Sequence, residues 1–113
     1  MSGLTTHVLD LAHGRPAAKV KVRLLKDGRL LASFDTNADG RSDGAILPDK
    51  AMTAGEYRLE FDVGDYFRHA GLNLPQPAFL ETVVIQFGVA DPAEHYHVPL
   101  LVSPFGYSTY RGS

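Results

Sequence analysis

Cysteine is absent from this 113-residue sequence. That excludes disulfides, thiolate nucleophiles and every cysteine-based zinc site, and it is compatible with a reducing cytosol. Blocks of like charge are also missing. Eleven Lys and Arg against 13 Asp and Glu leave a net charge of −2 with histidines neutral, and no basic run marks a nucleic-acid partner. No apolar stretch approaches the roughly 20 residues of a membrane helix. The opening "MSGLTTHVLD" has neither the basic start nor the long apolar segment of a secretory signal, and "YRGS" is not a peroxisomal tripeptide. Repeats and low-complexity tracts are lacking too. The expectation is a soluble, cytoplasmic protein that binds neither nucleic acid nor membrane.

What is present is a globular composition, 44% apolar, close to the average for folded domains. The length suits a single domain over residues 1–113. A chain this short buries a modest core, so self-association is an effective way to hide more surface.

The hydrophobic pattern has mostly a period of two. In "AAKVKVRLLK", Ala18, Val20, Val22 and Leu24 fall on one face and Lys19, Lys21 and Arg23 on the other, a half-buried strand. Asp27-Gly28 follows, a dipeptide suited to a tight hairpin. "RLLASFDT" continues less cleanly. In "EYRLEFDV", Tyr57, Leu59, Phe61 and Val63 alternate with charged residues. "FLETVVIQFGV" is apolar on both faces near Val83-Val84-Ile85, which predicts cover on both sides. "HYHVPLLVS" and "GYSTYR" close the chain around a type I turn at Ser103-Pro104-Phe105-Gly106. "GDYFRHAGL" differs: Tyr66, Phe67 and Ala70 stand at helical spacing, with Asp65 as N-cap and Gly71 as stop. Seven or eight short strands with one short helix predict an all-β, two-sheet sandwich.

Four stretches hold the polar residues of interest. In "LTTHVLDL", Thr5, His7 and Leu9 share one strand face and Thr6, Val8 and Asp10 the other. Taken alone, His7 reads more simply as a half-exposed histidine at a sheet edge. In "TNADGRSDG", Asn37, Asp39 and Gly40 build a turn that presents Arg41, either a solvated cation or a guanidinium that meets developing negative charge. The calcium-loop look of that turn lacks the downstream Glu and the flanking helices. In "HYHVPLL", His95, His97 and Pro99 share a face. An H-x-H pair joined by His7 could chelate zinc, whereas a surface position is the simpler reading of His95. Pro99 removes a backbone donor and predicts an edge or irregular strand. Last, "GYSTYRGS" is either a frayed end or a tail tied into a site.

Taken together, "THVLDLAHGRPA", "FDTNADGR", "GEYRLEFDVGDYF" and "HYHVPLLVSPFGYSTYRGS" resemble the 5-hydroxyisourate hydrolases, the enzymatic branch of the transthyretin family. The resemblance covers nearly the whole chain and carries the signature Tyr110-Arg111-Gly112-Ser113. It implies a transthyretin-like sandwich of two four-stranded sheets with one helix. It also implies a homotetramer around a central channel with sites at subunit interfaces. The implied reaction opens the ring of 5-hydroxyisourate to give 2-oxo-4-hydroxy-4-carboxy-5-ureidoimidazoline, on the way from urate to allantoin, with no metal or cofactor. By motif position the implied catalytic residues are His7, Arg41 and His97, with Tyr110, Arg111, Gly112 and Ser113 joining them in substrate binding. Hormone-carrying transthyretins lack this set. Water attack on an acyl carbon needs a base, and a neutral imidazole with pKa near about 6.5 suits that task. The sequence leaves open which histidine performs it.

Overall fold

The computed structural model describes residues 3–113. Among these, eight strands and one helix run in the order β1 (Gly3–Asp10), β2 (Arg15–Pro16), β3 (Lys21–Lys26), β4 (Arg29–Asp35), β5 (Gly55–Phe61), α1 (Val63–His69), β6 (Val83–Val89), β7 (His95–Ser103) and β8 (Gly106–Thr109). They form two four-stranded sheets, ordered β2-β1-β7-β8 and β4-β3-β5-β6. The strand count and the single short helix match the sequence expectation.

The period-two pattern explains why the sheets face each other as they do. Leu4, Val8, Tyr96, Val98, Leu100 and Val102 of one sheet meet Val22, Leu24, Tyr57, Leu59, Phe61 and Val83 of the other in one buried cluster. Each fully buried side chain of this kind contributes about 1.5–3 kcal/mol. A one-residue slip of any strand would turn its whole inward set to water, so burial fixes the register. Thr6 and Asp10 are the polar members of the inward face of β1, and the Thr6 hydroxyl donates to the Val98 carbonyl at 2.7 Å. Fixing the inward set also fixes the outward one, and the outward set carries the histidines.

Asp27-Gly28 forms the β3–β4 hairpin as expected, with both residues at positive φ (53° and 74°), the requirement of a type I′ turn. Two expectations fail and a third holds in part, each for an identifiable reason. Val63 opens α1 instead of ending a strand, and the N-cap is Asp62, not Asp65. Asp65 sits in the first turn, where a negative charge suits the helix dipole. The Asp62 carboxylate makes no capping bond because it accepts two hydrogen bonds from the Arg23 guanidinium, at 2.8 and 2.7 Å. Gly71, at φ 98°, follows the C-cap residue Ala70, in keeping with its reading as the stop.

Second, Val84 is exposed, along with Gln86 and Gly88. β6 is an edge strand whose outer face this chain leaves uncovered. Third, Pro99 lies within a central strand and not at an edge, since β7 pairs with β1 on one side and β8 on the other, but the pairing is irregular there as expected. β8 pairs only with Leu100–Ser103, so the ladder on that side stops where the proline has no N–H to give. The chain then rejoins β7 at an isolated bridge between His97 and Gly112.

The end of β1 is anchored from below the sheet. The Asp10 side chain is fully buried and accepts hydrogen bonds from the Tyr66 hydroxyl at 2.6 Å and from the His13 backbone N–H at 2.9 Å. His13 Nδ1 lies 2.6 Å from the same carboxylate. Burial pushes this carboxyl up, but the bonds from Tyr66 and His13 outweigh it and hold the group below its ordinary range. The anchor joins α1 to β1 three residues beyond His7.

Candidate active site

β1 and β7 run parallel, with Thr5 opposite His97, His7 opposite Pro99 and Gly3 opposite His95. Alternation sends Thr5, His7, His95 and His97 to the same outward face. His7 and His97 are thus diagonal neighbours on the surface of the sheet, although about ninety residues separate them in the chain. Both are half-buried.

Arg41 reaches this face from a tightly closed turn over residues 37–41. The Asn37 side-chain oxygen accepts the backbone N–H groups of Asp39 at 2.9 Å and Arg41 at 3.1 Å. The Asn37 and Arg41 backbones close the ring with an N–H···O bond of 2.8 Å. Gly40 adopts φ 77°, a left-handed conformation that glycine reaches without steric cost. Its carbonyl accepts the Val8 N–H at 2.8 Å, which docks the turn on β1. A side chain at residue 40 would overlap the Val8 carbonyl and stand 3.4 Å from His7 Cδ2.

Arg41 Nη2 then lies 3.3 Å from His7 Nδ1. A guanidinium only donates, so His7 Nδ1 must accept, and the His7 proton sits on Nε2. Burial, followed by the Arg41 charge, holds the His7 pKa below its ordinary value, with Asp39 opposing in part. For His97 the causes are burial first, then Arg41, then His7 and His95, with the Thr5 backbone opposing in part. Both imidazoles therefore stay neutral below the pH at which an ordinary histidine charges.

His97 is positioned from two sides. Its Nδ1 lies 2.8 Å from the Thr5 hydroxyl, and its backbone carbonyl accepts the Gly112 N–H at 2.8 Å. Gly112 passes flat against the imidazole ring, where a side-chain carbon would overlap Cδ2 and stand 3.0 Å from Cγ. With Nδ1 occupied by Thr5, Nε2 is the ring nitrogen left for chemistry.

Of the residues singled out in the sequence, His7, Arg41, His97 and Gly112 converge. Arg111 turns aside: Nη2 donates to Glu94 Oε1 at 2.9 Å and to the His95 carbonyl at 3.0 Å, and its guanidinium carbon stands 4.2 Å from the centre of the Tyr96 ring. This cation–π contact and ion pair strap the tail to β7. Tyr110 and Ser113 are exposed, with no side-chain partner among the described residues. His95, expected at the surface, is half-buried on the same outward face and also reaches Thr5, with Nε2 3.0 Å from the Thr5 hydroxyl. Among the described residues no group of three His, Asp or Glu side chains converges as a metal site.

A two-sheet sandwich of this strand order, bearing two neutral imidazoles and a guanidinium on one outward face, is a transthyretin-like fold equipped with acid–base groups. Residues 4–112 match the family described as the HIUase/Transthyretin family. The 5-hydroxyisourate hydrolase 2 of Rhizobium meliloti (strain 1021) is 57% identical over 114 residues, covering 97% of this chain and 95% of that protein. The solved structure of Klebsiella pneumoniae 5-hydroxyisourate hydrolase is 39% identical with a TM-score of 0.85, covering all of both chains. A crystal structure of (S)-allantoin synthase superposes with a TM-score of 0.90 at 44% identity, covering 98% of this chain. This chain spans 43% of that longer one. The chain belongs to the HIUase/Transthyretin family.

Proposed function

We propose that this chain hydrolyses 5-hydroxyisourate as a step in urate degradation, acting as one domain that needs neither metal nor cofactor. The observation that carries the reading is the meeting of His7, Arg41 and His97 on one sheet face. The full-length similarity to 5-hydroxyisourate hydrolases supports it. The two imidazoles divide the work by what their ring nitrogens have free. His97 Nε2 takes the proton of the attacking water when Thr5 accepts the N–H of Nδ1. His7, with Nδ1 engaged by Arg41, offers Nε2–H as a donor to the water or to the substrate oxygen. Arg41 meets negative charge as it builds on the carbonyl. The proton held by His97 then passes to the departing ring nitrogen. Tyr110, Gly112 and Ser113 contribute to substrate binding at the rim, and Arg111 holds the tail in place.

The reading includes a homotetramer with the site at a subunit interface. Two features support it: the histidines lie on an open face of the sheet, and β8 is an edge strand whose four residues are all exposed. A second chain over that face would exclude water from the reaction and pair the free strand edge. The cysteine-free composition fits a cytoplasmic setting.

The test mixes purified protein with freshly generated 5-hydroxyisourate and follows its loss of absorbance. Expected is decay far above the spontaneous rate, unchanged after dialysis against a chelator. Decay at the spontaneous rate would leave a carrier instead. Arg41→Lys keeps the charge and loses the planar fork. Its kcat is expected to fall by about 100-fold, the scale of losing one oxyanion donor, as measured in the same assay.

A further inference from the structure

In the reaction described so far Thr5 only accepts the His97 Nδ1 proton in a hydrogen bond, and His95 has no part. The Thr5 oxygen stands 2.8 Å from His97 Nδ1 and 3.0 Å from His95 Nε2, so one hydroxyl bridges two imidazoles. A hydroxyl has one proton to give and two lone pairs. Two lone pairs would let it accept from both rings; when it gives its own proton to one ring, it accepts an N–H from the other. The tautomers of the two rings are thereby tied together. If His97 donates from Nδ1, Thr5 donates to His95 and His97 Nε2 is a free base. If His95 donates from Nε2, Thr5 donates to His97, whose own proton then sits on Nε2. Thr5 is the one hydrogen-bond partner of the His95 ring among the described residues, because His95 Nδ1 is buried without any.

We propose that Thr5 and His95 form a proton relay that switches His97 between base and acid, an inference that rests on His97 being the base of the hydrolysis above. Thr5 and His95 are positioning residues and touch no substrate. The protons balance. Water gives a proton to His97 Nε2, leaving the ring doubly protonated. Nδ1 passes its proton to the Thr5 oxygen as Thr5 passes its own to His95 Nε2. His97 is now neutral with its proton on Nε2, and His95 carries the charge. When Nε2 delivers its proton to the departing ring nitrogen, both hops reverse and the starting state returns.

Repulsion from Arg41 and His7 drives the outward hop, against the cost of a charged His95 whose buried Nδ1–H has no partner. A charged His97 faces Arg41 from the turn and His7 from β1, both unfavourable, with Asp39 of the same turn close to His7. His95 pairs at Gly3, four residues along the ladder from His7. Glu94 precedes it, and Arg111 donates to its carbonyl and to Glu94. The relay moves positive charge down the strand, away from Arg41.

The experiment compares wild type, Thr5→Val, Thr5→Ser and His95→Gln. It measures kcat and KM for 5-hydroxyisourate across pH, and the ring ¹⁵N signals of His97 in the substrate-free protein. Thr5→Val is expected to lose about 10- to 100-fold in kcat, the range of outer partners that orient a functional histidine, with KM nearly unchanged. The acid limb of its pH profile and the His97 Nδ1 signal are expected to move, whereas Thr5→Ser restores both. His95→Gln is expected to lower kcat with KM retained. Wild-type kcat and unmoved His97 signals in Thr5→Val overturn the relay. If that variant does not fold, the same result in His95→Gln overturns it. Should wild type prove inactive, the hydrolase reading falls by itself. The relay is then judged by whether His95 and His97 titrate as a coupled pair, and independent single-site curves overturn it.

Discussion

Replacing His97 with asparagine lowers kcat by about 10²–10⁴-fold, the span of a lost general base, while the sandwich stays folded. Asparagine is polar and fits the half-buried outward position, and its amide can still meet Thr5, but it has no lone pair of imidazole basicity. Initial rates of 5-hydroxyisourate loss, with circular dichroism as the folding control, measure the effect. The wild-type pH profile supplies a second readout. The base is the neutral ring, and burial, then Arg41, His7 and His95, lower its pKa. A lowered pKa keeps the ring neutral further into acid. Activity is therefore expected to persist below the ordinary histidine range and to fall as pH drops through that lowered pKa. The asparagine variant should lose this limb.

The second large effect is expected at a residue with no side chain. Gly112→Ala introduces a carbon that would overlap His97 Cδ2 and stand 3.2 Å from His97 Cβ. Real contacts of that kind are not sustained, so either the imidazole rotates away from Thr5 or the tail lifts off the bridge to β7. A displacement of about 1 Å at a reacting group can cost about 100-fold. A kcat loss of that order is expected with little change in thermal stability, because Gly112 lies outside the buried cluster. Its His97 ring signals should move as well. Wild-type turnover by this variant would show that the tail does not set the imidazole.

How far the sequence anticipates this structure depends on the range of the interaction. Strand faces are legible from alternation alone: Thr5 with His7, and His95 with His97, fall together as read. The Asp27-Gly28 hairpin and the Gly71 stop are local chemistry and were equally readable. Pro99 marks the irregularity correctly but not the place of its strand in the sheet, because its tolerance depends on where a different strand ends. Asp65 looks like the cap because the competing claim of Arg23 on Asp62 comes from β3, some forty residues away. The convergence of His7, Arg41 and His97 follows from the family resemblance and could not be built from periodicity. It needs the parallel pairing of β1 with β7 and the docking of the 37–41 turn on Val8. Thr5 and His95 were in plain view on the right faces. What marks them as partners of His97 is the register of that parallel pair, which no local signal encodes.

The parallel pairing of β1 with β7 also bears on the order of events as the chain folds. The β3–β4 hairpin closes over two residues, and β7–β8 does the same. By contrast, Thr5 must find His97 across 92 positions, and such distant closures are entropically slow to form. His7, and Arg41 through the docking of its turn on Val8, ride on one partner of that closure, and His97 on the other. Turnover is therefore acquired at the last stage of assembly, however early the second sheet has zipped.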